Sequence, residues 1–486
     1  MTAGEETLPG RLQRLQGSVV GVGVTAFPMS GPPEWLPAYR IPCVRRTGAL
    51  SVLRRTAEVF CLEERLGRPL EEAGDSASLL SHPATRRYLA GLPRPVRLLL
   101  YQSSFEIERL AAEEGWHLLA NPAALRVRTA DRAFFQQLVT SQKLPAVPGC
   151  IVSFQRFQAR PYASWAREMG PRLAVQLPDV LQGGGRSTFF LEDADGHRRL
   201  LERIRPGSWM GKRLRRVSVR TFIEGEPASV TGCVLGGRTR LGPLQRQVID
   251  PPWVAGSGSS GVFAGHSWGG EGWSEPVEAE ARRQALAVGR VLASMGFRGV
   301  FGLDLLVDRT RERVVPVELN PRLTGAFPVL TQLQSARGET PLELLHLLSF
   351  LDLQGTGGEG PREETRLEAL RGAHLVLFRG PEGASGAWLP AGLYERGDGS
   401  KTLRRVGEAA DLRGIRAADQ FILCDGPPFA WDPRPCGPEA DPLERVGRLV
   451  FPGPVLTRGG RLESGIPDLV RQVLKKSYPS NPRSAR

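Results

Sequence analysis

Two short segments hold residue types whose spacing could do chemistry. The first is Gly302-Leu303-Asp304, followed by Val317-Glu318-Leu319-Asn320-Pro321-Arg322. The apolar residues around it (Val300, Leu303, Leu305, Val315, Val317, Leu319) predict two neighbouring strands joined by a turn at about Asp308 to Arg313. Side chains on a strand repeat every second residue, so Glu318 and Asn320 share a face, and Asp304 can point to the same side from the partner strand. Two carboxylates and an amide oxygen are hard ligands suited to Mg²⁺, with positions left for phosphate oxygens. Arg322, two residues further on, can meet a phosphate or a carboxylate bidentately. A solvated hairpin with edge charges is the plainer alternative, and the enclosing apolar residues favour the metal.

The second segment is Gln182-Gly183-Gly184-Gly185-Arg186-Ser187-Thr188, set between two strand candidates. Consecutive glycines let backbone N–H groups approach an anion closely, and Ser187 and Thr188 add hydroxyl donors. The segment has no lysine and no following helix, so it is not the G-x-x-x-x-G-K-[ST] loop. A flexible hairpin loop is an equal alternative.

The elements that must position these residues follow from periodicity. Ser18 to Phe27 and Val96 to Ser104 read as strands, with apolar residues at helical spacing between them (Leu50, Leu53, Ala57, Phe60, Cys61) and the helical stretch FEIERLAAEEGW after the second. This alternation predicts an open α/β layer. Thr129 or Asp131 can cap a helix running to about Ser141, which Pro145 and Pro148 end. Residues 173–250 read as strands in hairpins, with turn signals at Asp195-Gly196 and Gly236-Gly237. Residues 276–296 read as a helix, and TPLELLHLLSFL as a shorter one. Leu351 to Arg366 is Gly-rich, charged and aperiodic, a linker. AHLVLFRG, GAWLP, DQFILCDG and RVGRLVFPG beyond it are short strands, and KKSYPSNPRSAR is a frayed tail.

Composition bounds the answer. The 486 residues are enough for about three domains, and 41% hydrophobic with 24% charged residues is ordinary for a globular chain. The net charge of +13 invites a nucleic-acid reading. However, the basic residues are spread along the chain, and only five of the 64 are lysine. That pattern argues against a nucleic-acid surface and suits a basic cleft for a polyphosphate equally well. The six cysteines lie far apart with no metal spacing, and free buried thiols are expected. No run approaches a spanning helix and the start does not read as a signal peptide, so no membrane partner is expected and a reduced cytoplasm is the expected compartment.

In order, these parts resemble the ATP-grasp superfamily over roughly residues 15–450. The persuasive pattern is an N-terminal α/β segment, NPAALRVRTADRAFF, the strand LAVQLP, the glycine loop, VRTFIEGEPASV, and the Asp…Glu-x-Asn-Pro-Arg hairpin. The resemblance implies an α/β chain: an ATP-grasp fold preceded by an open α/β domain and followed by a small, mostly β C-terminal domain. The expected divisions are 1–120, 121–352, a linker at 353–366, and 367–486. It implies ATP and Mg²⁺ as cofactors, with Asp304, Glu318 and Asn320 as metal ligands and Arg322 on the transferred phosphoryl group. Thr221 C=O and Ile223 N–H would read adenine on a hinge that includes Arg220 and Phe222. Glu224 or Glu226 would take the ribose hydroxyls, and Gly183, Gly184, Gly185, Ser187 and Thr188 the phosphates.

Two positions depart from the family pattern. Where the family carries two phosphate-contacting lysines, this sequence has Arg132 and Gln176, and Arg186 or Lys212 can supply the missing charge. Acceptor contacts are expected from Ser103, Ser104, Gln245, Arg246 and Gln247. The stretch Gly256 to Gly270 reads as a mobile loop carrying His266 and Trp268, with His266 more simply a solvated histidine. The implied activity is that of a ligase activating a small carboxylate as an acyl phosphate for attack by an amine, on an amino acid or peptide-like substrate. A biotin-carboxylase-like enzyme and a nucleotide-binding pseudoenzyme or regulatory module are the alternatives, and the assembly leaves a homodimer open.

Overall fold

The computed structural model describes residues 8–36, 38–70, 74–179, 185–204, 207–308, 310–351, 370–379, 389–397, 402–409, 411–426 and 443–477. The two expected N-terminal strands, Ser18–Val22 and Val96–Leu100, pair in parallel at the centre of a five-stranded sheet. Arg40–Cys43 and then Glu58–Cys61 lie outside the first, and His117–Leu119 outside the second. The strand order reverses between the two central strands, which opens a crevice beyond their carboxyl ends.

One expectation fails here. The stretch read as a single helix divides into the helix Leu50–Leu53, the strand Glu58–Cys61 and the helix Leu62–Leu66. Val59 and Cys61 bury on one side of that strand, and Arg40–Cys43 offers it a ladder in register. The ladder overrides the local period. Arg40–Cys43 itself was hidden by its shortness and by Pro42, a residue that argues against a strand.

Residues 149–221 build a small antiparallel sheet in the order Gly149–Ser153, Arg216–Thr221, Leu173–Gln176, Thr188–Leu191. Asp195-Gly196 is no hairpin turn. It opens the helix Ala194–Ile204, because the Asp193 carboxylate accepts the Gly196 N–H at 2.6 Å and caps the first turn. Gly236-Gly237 is a turn as expected. Both residues have positive φ and join Glu226–Leu235 to Arg238–Ile249 in a two-residue hairpin.

The largest sheet has ten strands. Its order is Arg313–Asn320, Gly299–Asp308, Glu226–Leu235, Arg238–Ile249, Phe263–Trp268, Gly372–Phe378, Arg445–Phe451, Gln420–Cys424, Gly392–Arg396 and Leu403–Gly407. The stretch Gly256 to Gly270 is therefore only half loop. Phe263–Trp268 is a buried strand held between two neighbours, so the mobile-loop reading of His266 is corrected. Ala228, Val230, Leu303 and Leu305 pack on one face of the sheet under the helix Glu275–Ser294. Ser229, Thr231, Gly302 and Asp304 alternate with them and face the other way.

The C-terminal strands join this sheet through the pairing of Gly372–Phe378 with Phe263–Trp268. A single apolar core takes Val19, Phe27 and Leu99 from the N-terminal sheet, Leu344 and Leu348 from the helix Leu342–Phe350, and Ile422 and Val450 from the C-terminal strands. Residues 352–366 of the expected linker, residues 386–388 of GAWLP and residues 478–486 of the expected tail lie outside the described residues, while residues 475–477, read as the start of a frayed tail, instead end the helix Ile466–Ser477. None of the described helices is long and apolar enough to cross a membrane.

Candidate active site

A cleft of about 1170 Å³ lies where the three sheets meet. The N-terminal sheet contributes Gly23, Thr25, Tyr101 and Ser104 from the carboxyl ends of its central strands. The small sheet contributes Gln176, Thr188 and Arg220, and the connector that follows adds Phe222 and Ile223. The large sheet contributes Ser229, Gln245, Gln247, Asp304, Glu318 and Asn320, followed by Arg322.

The hairpin built from Gly299–Asp308 and Arg313–Asn320 sets the chemistry of the floor. Asp304 stands opposite Glu318 and Gly302 opposite Asn320, so all three candidate ligands meet on the cleft face. The register shifts between Asp304 and Leu305, which leaves Val317 as an extra residue on the outer strand. A bulge of this kind re-aims neighbouring side chains. Asp304 accepts from the amides of Gln247 (2.9 Å) and Asn320 (2.8 Å), and Arg322 donates to the Asn320 amide oxygen at 3.0 Å. Arg322 also donates to the Tyr101 hydroxyl at 2.8 Å. Burial, followed by the facing Glu318 charge, raises the Asp304 carboxyl to about 7. Two carboxylates opposed in a half-buried floor, with an amide oxygen beside them, form a donor set that fits Mg²⁺.

The cations come from three elements. Asp131 caps the helix Arg132–Ser141, accepting from the Ala133 and Phe134 N–H groups, and its other oxygen takes both terminal nitrogens of Arg216 at 3.0 Å. That cap fixes Arg132 at the first helical position, where it donates to Glu318 at 2.6 Å and to the Val317 carbonyl at 3.2 Å. Arg220 reaches the same carbonyl from the small sheet at 3.3 Å, and among the described residues its buried Nε has no partner. Burial, and then Arg132 beside it, lowers the Arg220 guanidinium to about 10. Among the described residues the Gln176 side chain bonds Thr188 Oγ1 alone, at 3.3 Å. Arg126 lines the cleft, its Nε unpartnered among the described residues, and burial and then the nearby Arg322 charge lower its pKa.

The structure brings most of the singled-out residues to this cleft. Arg132, Gln176, Gly185, Ser187, Thr188, Thr221, Phe222, Ile223, Asp304, Glu318, Asn320, Arg322, Ser104, Gln245, Gln247 and His266 all line it. Gly183 and Gly184 lie outside the described residues. Ser103 does not reach the cleft, because its buried hydroxyl donates to the Asn121 carbonyl at 2.7 Å. Glu224 is 83% exposed and pairs with Arg172. Glu226 turns into a buried ion pair with Arg246 at 2.6 Å, which also removes Arg246 from the candidate acceptor contacts. Ser104 caps the helix Phe105–Glu114 as well as lining the cleft. Lys212 lies on the exposed strand Lys212–Arg213, away from the lining. Arg186 lines the cleft and donates to the Leu443 carbonyl.

Sequence reasoning did not find Arg126, Tyr101, His374 or Arg448. The one signal available was an arginine inside the apolar strand RVGRLVF, a charge that burial must compensate.

Residues 181–326 match the family model described as the ATP-grasp domain. That match covers less than a third of the chain and includes the glycine segment, the hinge strand and the Asp304–Arg322 hairpin. Over 87 residues the chain is 33% identical to the [butirosin acyl-carrier protein]–L-glutamate ligase of Niallia circulans, which is 18% of this chain and 19% of that protein. The chain thus spans about a fifth of that curated relative. Its fold resembles carboxyaminoimidazole ribonucleotide synthase of Aspergillus clavatus, a structure complexed with ATP (TM-score 0.52, 13% identity, 94% of this chain and 98% of that one). It also resembles the biotin carboxylase domain of Hydrogenobacter thermophilus 2-oxoglutarate carboxylase, solved with MgADP and bicarbonate (TM-score 0.55, 14% identity, 91% and 87% covered).

Proposed function

We propose that the chain is an ATP- and Mg²⁺-dependent ligase that activates a carboxylate as an acyl phosphate for attack by an amine. The observation that carries this reading is the convergence of Asp304, Glu318, Asn320 and Arg322 on one cleft with Arg132, Arg220 and the hinge. Asp304, Glu318 and Asn320 would hold Mg²⁺, which neutralises phosphate charge when bound. Arg132 and Arg220 would flank the phosphates, so that an arginine on the strand next to Gln176 supplies the charge Gln176 lacks. The connector Phe222–Ile223 would lie against adenine.

In the reaction, a substrate carboxylate oxygen bonds to the γ-phosphorus as the bond to the β–γ bridging oxygen breaks, and ADP leaves. The amine nitrogen then adds to the acyl carbon, loses a proton, and the carbon–oxygen bond to phosphate breaks. The chain need supply no nucleophile. Arg322, steadied by Tyr101 and Asn320, would stabilise charge on the transferred phosphoryl group and on the tetrahedral oxyanion. The test is release of ADP and phosphate from ATP with Mg²⁺, with and without a pool of amino acids and small carboxylic acids. Release that depends on the pool is expected. ATP binding without turnover under any pool would favour the pseudoenzyme, and no ATP binding would overturn the reading.

A further inference from the structure

Beyond the metal hairpin, the cleft face of the large sheet carries polar side chains from strand to strand. Gln245 donates to Ser229 Oγ at 2.9 Å and accepts from the Trp268 indole at 2.8 Å. Gln247, which bonds Asp304, stands opposite His266, and His266 stands opposite His374. His266 Nδ1 and His374 Nε2 are 3.0 Å apart, and His374 Nδ1 lies 3.0 Å from an Arg448 terminal nitrogen.

The donor directions in this chain are forced. A guanidinium only donates, so His374 Nδ1 accepts, and its ring proton sits on Nε2. That proton is given to His266 Nδ1, so the His266 proton sits on Nε2. Among the described residues His266 bonds only through Nδ1, and it lines the cleft. Its Nε2–H is therefore a fixed donor beside the open space.

Arg448 stands at the other end of this chain. It is 3% exposed and also lines the cleft. Among the described residues its Nε has no partner, and beyond His374 its terminal nitrogens meet only the Gly325 carbonyl at 3.4 Å and the Asp425 carboxylate at a long 3.9 Å. A buried cation this weakly compensated, at the wall of a cavity, is a receptor for an anion. Its strand, Arg445–Phe451, lies outside the residues matched by the family model.

We infer that this end of the cleft is a carboxylate subsite, in which Arg448 receives an anionic group of the acid substrate and the Nε2–H of His266 donates to a second polar group of the same molecule. His374 is the positioning residue that joins them. The inference rests on the ligase reading, and it assigns acceptor recognition to the C-terminal strands.

The test is thermal stabilisation of the full chain by Mg·ATP, and separately by L-glutamate, succinate or inorganic phosphate. The wild type is expected to respond to Mg·ATP and to at least one carboxylate. Arg448→Gln and His266→Ala should keep the Mg·ATP response and weaken the carboxylate response about tenfold or more in apparent Kd. Arg448→Lys should recover part of it. An unchanged carboxylate response in both variants would overturn the subsite. So would a wild type that answers Mg·ATP but no carboxylate, or one that answers phosphate alone. Loss of the Mg·ATP response in the wild type would instead sink the ligase reading.

Discussion

Glu318 and Arg220 carry separable loads at the scale of single residues. Glu318→Gln keeps the shape of the side chain and removes one of the two opposed charges. Magnesium-dependent ADP release should fall at least about a hundredfold with the melting temperature little changed. Turnover at the wild-type rate would remove Glu318 from the metal site. Arg220 is a buried cation whose Nε has no partner among the described residues. Arg220→Gln should therefore raise the melting temperature while weakening Mg·ATP binding about tenfold, two effects of opposite sign that a calorimeter and a titration separate. Loss of stability with unchanged affinity would show a structural role instead. The acids of the hairpin were legible in the sequence because strand alternation is local, and Asp304, Glu318 and Asn320 needed only a correct register. Arg220 stood in plain view on the hinge strand, but its role as a cation depends on which strand lies beside Gln176. The hydroxyl of Ser103 and the carboxylate of Glu226 were misdirected for the same reason. Their buried partners, Asn121 and Arg246, are 18 and 20 residues away in the chain.

Among the elements, the helix Arg132–Ser141 shows how a cap becomes part of a site. Asp131 was one of two cap candidates in the sequence, and the structure selects it. Asp131→Ala should cost about 1–2 kcal/mol of stability and also free Arg216 and loosen Arg132. Restored stability without restored ATP affinity in a second-site revertant would separate the two. The helix Leu342–Phe350 carries a different charge problem. Glu343 is buried, one oxygen accepts from Thr331 Oγ1 at 2.6 Å, and the other has no partner among the described residues. Burial raises this carboxyl from 4.5 to about 7, so the folded chain holds a proton that the unfolded chain has lost. Stability from this group is fully present below about 4.5 and falls as pH rises towards 7. Glu343→Gln should therefore stabilise the chain by up to about 3 kcal/mol at pH 8 and little at pH 4.5. A melting-temperature gap that does not widen with pH would refute the shift. Element types were readable where one period ran for many residues, as in Glu275–Ser294. They were lost where a tertiary ladder or a cap overrode a short pattern, as at Glu58–Cys61 and Ala194–Ile204.

For the whole molecule, the order of parts was legible and their joining was not. The sequence predicts an α/β start, a central hairpin and C-terminal strands. Nothing local shows that the last of these continues the sheet of the hairpin and shares a core with the first. A chain ended at residue 351 should lose the ladder partner of Phe263–Trp268 and expose that strand as an edge. It is expected to aggregate rather than yield an ATP-binding fragment, as size-exclusion chromatography would show. A monodisperse fragment that still binds ATP would contradict the shared core.

The opposite edge of that sheet is treated differently. Among the described residues Arg313–Asn320 has a ladder neighbour on one side only; Pro316 within it has no N–H to offer, and Arg132 and Arg220 occupy the Val317 carbonyl. Edge strands left open recruit strands from other chains. The same two arginines proposed to flank the phosphates thus also guard the sheet's rim. Self-association is a hidden cost of changing both at once, and nucleotide depletion in a crowded solution would test the rim as much as the reaction.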